Sequence, residues 1–196
     1  MSKYRIVLDY GHGGSKPGAV YGGIEEKTVN LLTGQELNRR LHSENGGSNL
    51  QVLLTRDADY DISLRTRCAL INAHHKEDPI QLVLSVHYNA AGTPAAAGFE
   101  AFCVATSPTG PIAAEEVARA VRQAGMPVRA NTVRTTAQLG KRLAILHDTV
   151  PPAILVEVGF LTNPVDRGNA ANPLFHSAVA QAITHGIWNY LKREEN

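Results

Sequence analysis

The chain has 196 residues, 43% of them hydrophobic, enough for one packed core and too few for two independent domains. Nineteen Lys and Arg against eighteen Asp and Glu leave a formal net charge of +1 at pH 7, which argues against nucleic acid as a partner. No run approaches the roughly 20 apolar residues of a bilayer span, so no membrane insertion is expected. The opening Met1-Ser2-Lys3-Tyr4-Arg5 passes straight into Ile6-Val7-Leu8 without an apolar leader, so the sequence predicts a chain that stays inside, leaves by another route or has been trimmed. The two cysteines, Cys68 and Cys103, are too few for a disulfide framework and read as small core residues.

Strand and helix alternate along the chain. A strand over Tyr4 to Asp9 ends in a glycine-rich turn, Gly11 to Gly23. A helix over Glu25 to His42 follows, with Val29, Leu32, Leu37 and Leu41 at helical spacing, and Asn45-Gly46-Gly47-Ser48-Asn49 ends it. Gln51 to Thr55 predicts a second strand, and a helix opening near Ser63 carries Leu64, Cys68 and Ile71 on one face. Ile80 to Tyr88 is a nearly continuous apolar run, as in strands covered on both sides. Gly98 to Ala105 reads as a strand, and Pro111 opens an Ala- and Val-rich helix that stops at Gly125. A basic, polar stretch from Val128 to Lys141 precedes a short strand at Leu143 to Leu146. Ala153 to Phe160 is another buried run, and Asn172-Pro173 starts a last helix lined by Phe175, Val179, Ile183, Ile187 and Leu191. The pattern predicts a single α/β domain over 1–196, with a mostly parallel twisted sheet of about six strands and helices on both faces.

In such folds sites gather at the carboxyl ends of strands. The first strand delivers His12, the Ile80 to Tyr88 run delivers His87, and the late run carries Glu157, while Glu25-Glu26 opens the first helix nearby. Two His and a Glu on a metal, with a second Glu as base, is the make-up of a catalytic zinc site. Plainer readings compete for each residue. The glycine turn lacks both G-x-G-x-x-G and the Lys-Ser/Thr ending of a phosphate loop. Glu25 and Glu26 would each complement a helix dipole, and a lone His87 would ordinarily be a satisfied core or edge residue. Glu157 resists a plain reading, because a carboxylate within Ala153-Ile154-Leu155-Val156 and Val158 is costly to bury without a charged partner. His42, His74, His75, His176 and His185 read as solvated or locally bonded. His147 is held as a substrate contact near the mouth.

Ordered motifs extend the pattern: Asp9-Tyr10-Gly11-His12-Gly13-Gly14 with Pro17-Gly18-Ala19, Glu26-Lys27 with Asn30-Leu31, Leu54-Thr55-Arg56-Asp57, Leu64 with Arg67 and Asn72, Ser85-Val86-His87-Tyr88-Asn89-Ala90, Gly98-Phe99-Glu100, and Pro152 through Pro164. In these the chain resembles, over nearly its whole length, the zinc-dependent N-acetylmuramoyl-L-alanine amidases of the Amidase_3 family, which cleave peptidoglycan between the lactyl group of muramic acid and the stem peptide. The resemblance implies Zn2+ held by His12, Glu26 and His87, with Glu157 as the catalytic glutamate. Asn89 and Arg56 join His147 as expected substrate contacts. Glu25 and Glu26 point about 100° apart on a helix, so only one reaches the metal, and the motif selects Glu26. Tyr10 stands where the family usually has Pro or Ala, and Thr162 where it usually has Ser.

The implied mechanism is water activated by zinc, with Glu157 taking its proton and passing it to the leaving amine. A zinc peptidase or deacylase on another amide, or a wall-binding module without activity, are the competing functions. Thr106 to Gln138 has room for one helix and a loop, so no covering segment is expected. The expectation is a monomer that needs no activator protein. It would act on the cell wall, in the periplasm or outside the cell, after phage-type release or as a trimmed catalytic domain.

Overall fold

The computed structural model describes residues 4–44 and 49–193. The expected turn at Asn45-Gly46-Gly47-Ser48 and the leader question at Met1 to Lys3 lie outside them. The elements in chain order are β1 (Tyr4–Tyr10), a small hairpin of β2 (Val20–Tyr21) and β3 (Ile24–Glu25), α1 (Glu26–Ser43), β4 (Leu50–Leu54), α2 (Leu64–Glu77), β5 (Leu82–Asn89), β6 (Phe99–Cys103), α3 (Gly110–Gln123), β7 (Val128–Thr135), α4 (Thr136–Leu139), α5 (Ala144–His147), β8 (Ala153–Phe160), α6 (Pro164–Ala170) and α7 (Pro173–Arg193). A six-stranded sheet runs β4-β1-β5-β8-β6-β7. The β4-β1-β5-β8 neighbours are parallel; β6 is antiparallel to β8 and parallel to β7. This is the expected α/β architecture.

Alternation along the strands divides the core in two. Ile6 and Leu8 of β1, Leu84 and Val86 of β5, and Ile154 and Val156 of β8 face the larger cluster, beneath α1, α3 and α7. Val7, Val83, Phe102 and Leu155 face the smaller one, with Cys68 and Ile71 of α2 and Ile145 and Leu146 of α5. Helices thus cover both faces, but the second face has shorter cover, and its strand ends stay open.

Ser63 caps α2 through its side-chain oxygen, and Pro111 stands in the first turn of α3. Both cysteines are free and buried. Three expectations need correction. Leu143 to Leu146 forms no strand: Ala144 to His147 make one helical turn that puts Ile145 and Leu146 under the sheet. A four-residue apolar run has no period to separate the two forms. The stretch after Val128 holds an edge strand, β7, and the turn α4, closed by a Thr135 and Gln138 capping box. Leu64 does not share the buried face of Cys68 and Ile71; it is exposed at the start of α2.

Candidate metal centre

Alternation also decides which side chains meet. Asp9, Ser85, His87, Glu157 and Glu100 fall on the face opposite the larger cluster. His87 stands beside Glu157 in the β5–β8 register, and Glu157 opposite Glu100 in the β8–β6 register. Beyond the end of β1, His12 adopts φ 62°, a left-handed conformation unusual for a residue with a side chain. Two buried arginines hold it there. Arg67 donates through Nη1 to Tyr10 O at 2.7 Å and Asp9 Oδ1 at 2.6 Å, and through Nη2 to His12 O at 2.6 Å. Arg56 donates to the carbonyls of Tyr10 at 2.7 Å, of Gly11 and Lys27 at 2.9 Å each, and of Ala58 at 3.0 Å.

Three donors converge at the strand ends. His12 Nε2 lies 3.2 Å from Glu26 Oε2, and His87 Nδ1 lies 2.8 Å from Glu26 Oε1. One ligand atom from each of the three residues falls within 4.8 Å of the others. Glu26 is buried at the first turn of α1; Ala19 N donates to its Oε2 at 2.9 Å, and Asn30 to its Oε1 at 3.4 Å. Burial pushes its carboxyl up, but hydrogen bonds and charge from His12 and His87 outweigh it and hold Glu26 below the usual carboxylate range. Glu25 turns away, with its carboxylate 3.5 Å from Lys27 Nζ.

Glu157 faces the same cavity, of about 410 Å³, and its Oε2 is buried without a hydrogen-bond partner. Burial first, then the charges of Glu26 and Glu100, push its carboxyl well above the usual range, with Lys141 pulling the other way. Asn89 lines the cavity and donates to Glu100 Oε1 at 2.9 Å. The opposite wall is Leu64 and Lys141 to Ile145.

The structure does not bring two of the expected substrate contacts to this cavity. Arg56 is buried with its donors spent on backbone carbonyls, so it fixes the His12 turn from behind. His147 is exposed, lies outside the cavity lining and is bonded to Thr136 Oγ1 at 3.0 Å. Sequence reasoning left Lys141 inside a stretch read only as basic and polar. It also left Glu100 unexamined, although a carboxylate between Phe99 and Phe102 raises the question asked of Glu157.

The model of the family described as N-acetylmuramoyl-L-alanine amidase, Amidase_3, matches residues 6–189. The chain belongs to that family. It is 32% identical over 98% of its length to N-acetylmuramoyl-L-alanine amidase CwlM of Bacillus licheniformis, of which it covers 69%. It is 30% identical to the endolysin of Bacillus phage SPP1, with 95% of this chain and 65% of the endolysin covered. Among solved structures, N-acetylmuramoyl-L-alanine amidase AmiC2 of Nostoc punctiforme superposes with a TM-score of 0.84 at 29% identity, covering 98% of this chain and 99% of that one. Family members thus include cell-wall hydrolases of bacterial and phage origin.

Proposed function

We propose that this Amidase_3 chain is a single zinc-dependent catalytic domain that hydrolyses the amide between the lactyl group of muramic acid and L-alanine. The observation that carries the reading is the buried, unpartnered Glu157 oxygen facing a cavity where His12, Glu26 and His87 present their donor atoms together. Two imidazoles and one carboxylate are a fitting donor set for a catalytic zinc, leaving a position for water. His12, Glu26 and His87 would hold the ion, which when bound polarises a carbonyl and acidifies water.

The chain's own groups do the rest. Asn30 donates to Glu26 and to Gly11 O at 3.1 Å, tying the carboxylate to the turn that carries His12. Glu157 accepts the proton of the attacking water and delivers it to the nitrogen of the leaving alanine. Glu157 is raised first by burial and then by the charges of Glu26 and Glu100, and a cation held by Glu26 would offset one of those charges. Asn89, at the mouth, is placed to hydrogen-bond the substrate.

No activator is needed on this reading. The long helix between β6 and β8 is α3, which packs with α7 against the larger cluster, on the face away from the cavity. The site of action is the cell wall, and no helix among the described residues is long and apolar enough to cross a membrane.

Paired variants test the roles. Glu157→Gln keeps stoichiometric zinc by elemental analysis and loses about 10²- to 10⁴-fold in turnover, whereas His87→Ala loses zinc and turnover together. Retained turnover in Glu157→Gln overturns the assignment of the base.

A further inference from the structure

We propose that a cationic groove beside the catalytic cavity binds a carboxylate of the substrate's peptide, and that Arg129 and Arg134 hold it; the proposal rests on the amidase reading above.

Glu100 connects the cavity residue Asn89 to the two groove arginines. It stands opposite Glu157 in an antiparallel pair, so both side chains occupy the same sheet face. Glu100 is buried, and its Oε1 is taken by Asn89. Its Oε2 lies 3.3 Å from Arg129 Nε and 3.5 Å from Arg134 Nη1, yet has no hydrogen-bond partner in acceptable geometry. Five residues apart on a regular strand, the two arginines would point to opposite faces.

A bulge removes that obstacle. Phe99 and Ala101 of β6 pair with Val128 and Val133 of β7, so the residues between the latter two loop out and both guanidinium groups reach Glu100. Thr132 closes the loop by donating to Arg129 O at 2.7 Å and accepting from Arg122 at 3.0 Å. The Arg129 guanidinium stacks on Phe160 at 5.0 Å, and that of Arg134 on Phe102 at 5.7 Å. Two planar donor groups are thus fixed against aromatic rings while one buried carboxylate offsets only one of their charges. Both remain partly exposed and line a groove of about 570 Å³ whose other wall is the small residues Ala95 to Ala97.

Substrate chemistry supplies the ligand. In a muramoyl peptide the lactyl carboxyl is consumed by the scissile amide and the sugar is neutral, so the nearest negative charge belongs to the peptide. From β8 to β7 is two strand spacings, about 9.5 Å, and an extended peptide advances about 3.5 Å per residue. The groove therefore meets a carboxylate on the second or third residue of the stem. A guanidinium pair recognises the planar charged group and discriminates against its amide.

Three muramoyl tripeptides test this: one with free carboxylates on the second and third residues, and two in which one or the other is a carboxamide. Cleavage (kcat/KM) and binding by titration calorimetry are measured for the unmodified protein and for Arg129→Gln, Arg134→Gln and Arg134→Lys, with thermal melts to confirm folding. The unmodified protein should prefer the free acid by about ten-fold over the amide at the recognised residue. That ratio should fall to near one in the Gln variants and persist in part in Arg134→Lys. No preference in the unmodified protein, or the same preference in the Gln variants, overturns the proposal. Cleavage of none of the probes removes the amidase reading instead, and the binding ratios then still decide for or against the groove.

Discussion

At His12 the backbone takes φ 62°, where a side chain costs roughly 1–2 kcal/mol, and the hydrogen bonds from Arg56 and Arg67 to the Tyr10, Gly11 and His12 carbonyls hold it there. Such strain persists where surrounding structure over-determines it, and here it sits on one of the converging imidazoles. Gly11 carries the same logic one residue earlier. A Cβ there would fall 2.2 Å from His87 Cε1, inside the ring's own space. Gly11→Ala should therefore displace His87 and weaken zinc binding by about 10- to 100-fold, read by competition with a chromophoric chelator. Unchanged affinity would show that His87 is not held as described. At this scale the sequence was legible for His12, His87 and Glu157, because strand ends announce themselves and a carboxylate in an apolar run demands an explanation. Arg56 was expected at the substrate, because Leu54-Thr55-Arg56-Asp57 does not say whether a charge just past a strand faces substrate or grips carbonyls from behind.

Among the elements, β5, β8 and α7 were readable because each is apolar over its whole length or along one full stripe. β7 was not, since an edge strand with a bulge and half-exposed side chains shows neither alternation nor a continuous apolar run. α5 was lost for a different reason: four residues carry too little pattern to tell a turn of helix from a strand. Where α7 crosses α3, a Cβ at Gly186 would lie 2.5 Å from Val117 Cα and 3.0 Å from Glu116 O. Overpacking of about 1–3 kcal/mol should outweigh the helix-propensity gain of about 1 kcal/mol, so Gly186→Ala destabilises. In α6, Gly168 faces open space, and Gly168→Ala should stabilise by roughly 0.5–1 kcal/mol. Urea unfolding of both variants checks this; shifts of the same sign would contradict the packing described.

Across the whole molecule, buried charge links stability to pH. Burial raises the Asp9 carboxyl, but Arg67, Ser85 and Thr55 outweigh it and hold the group below its ordinary value. Hydrogen bonds from Arg39 and then Arg40 and Ser177, working against partial burial, bring Glu36 down to about 2. Both carboxyls bind protons less readily folded than unfolded, so their contribution is full above the ordinary carboxylate range and is lost as pH falls through the lowered values. Burial likewise lowers His176, which starts a shallower loss as pH drops below its ordinary value near 6.5. Glu157, its carboxyl raised by burial and by Glu26 and Glu100, works the other way above about pH 4 and offsets the His176 loss. Unfolding free energy should therefore fall steeply only below about pH 4, and a flat profile from about pH 5 to 2 would contradict this. The same architecture opens the less covered face of the sheet at its strand ends, where His12, Glu26, His87 and Glu157 meet. The most direct measurement of what that opening does is mass spectrometry of purified peptidoglycan digested by the protein alone, then with chelator, then with zinc restored. The account predicts intact stem peptides with a free N-terminal alanine, abolished by the chelator and recovered with zinc. Cleavage inside the stem, a product indifferent to chelation, or no cleavage without an added protein partner would contradict it.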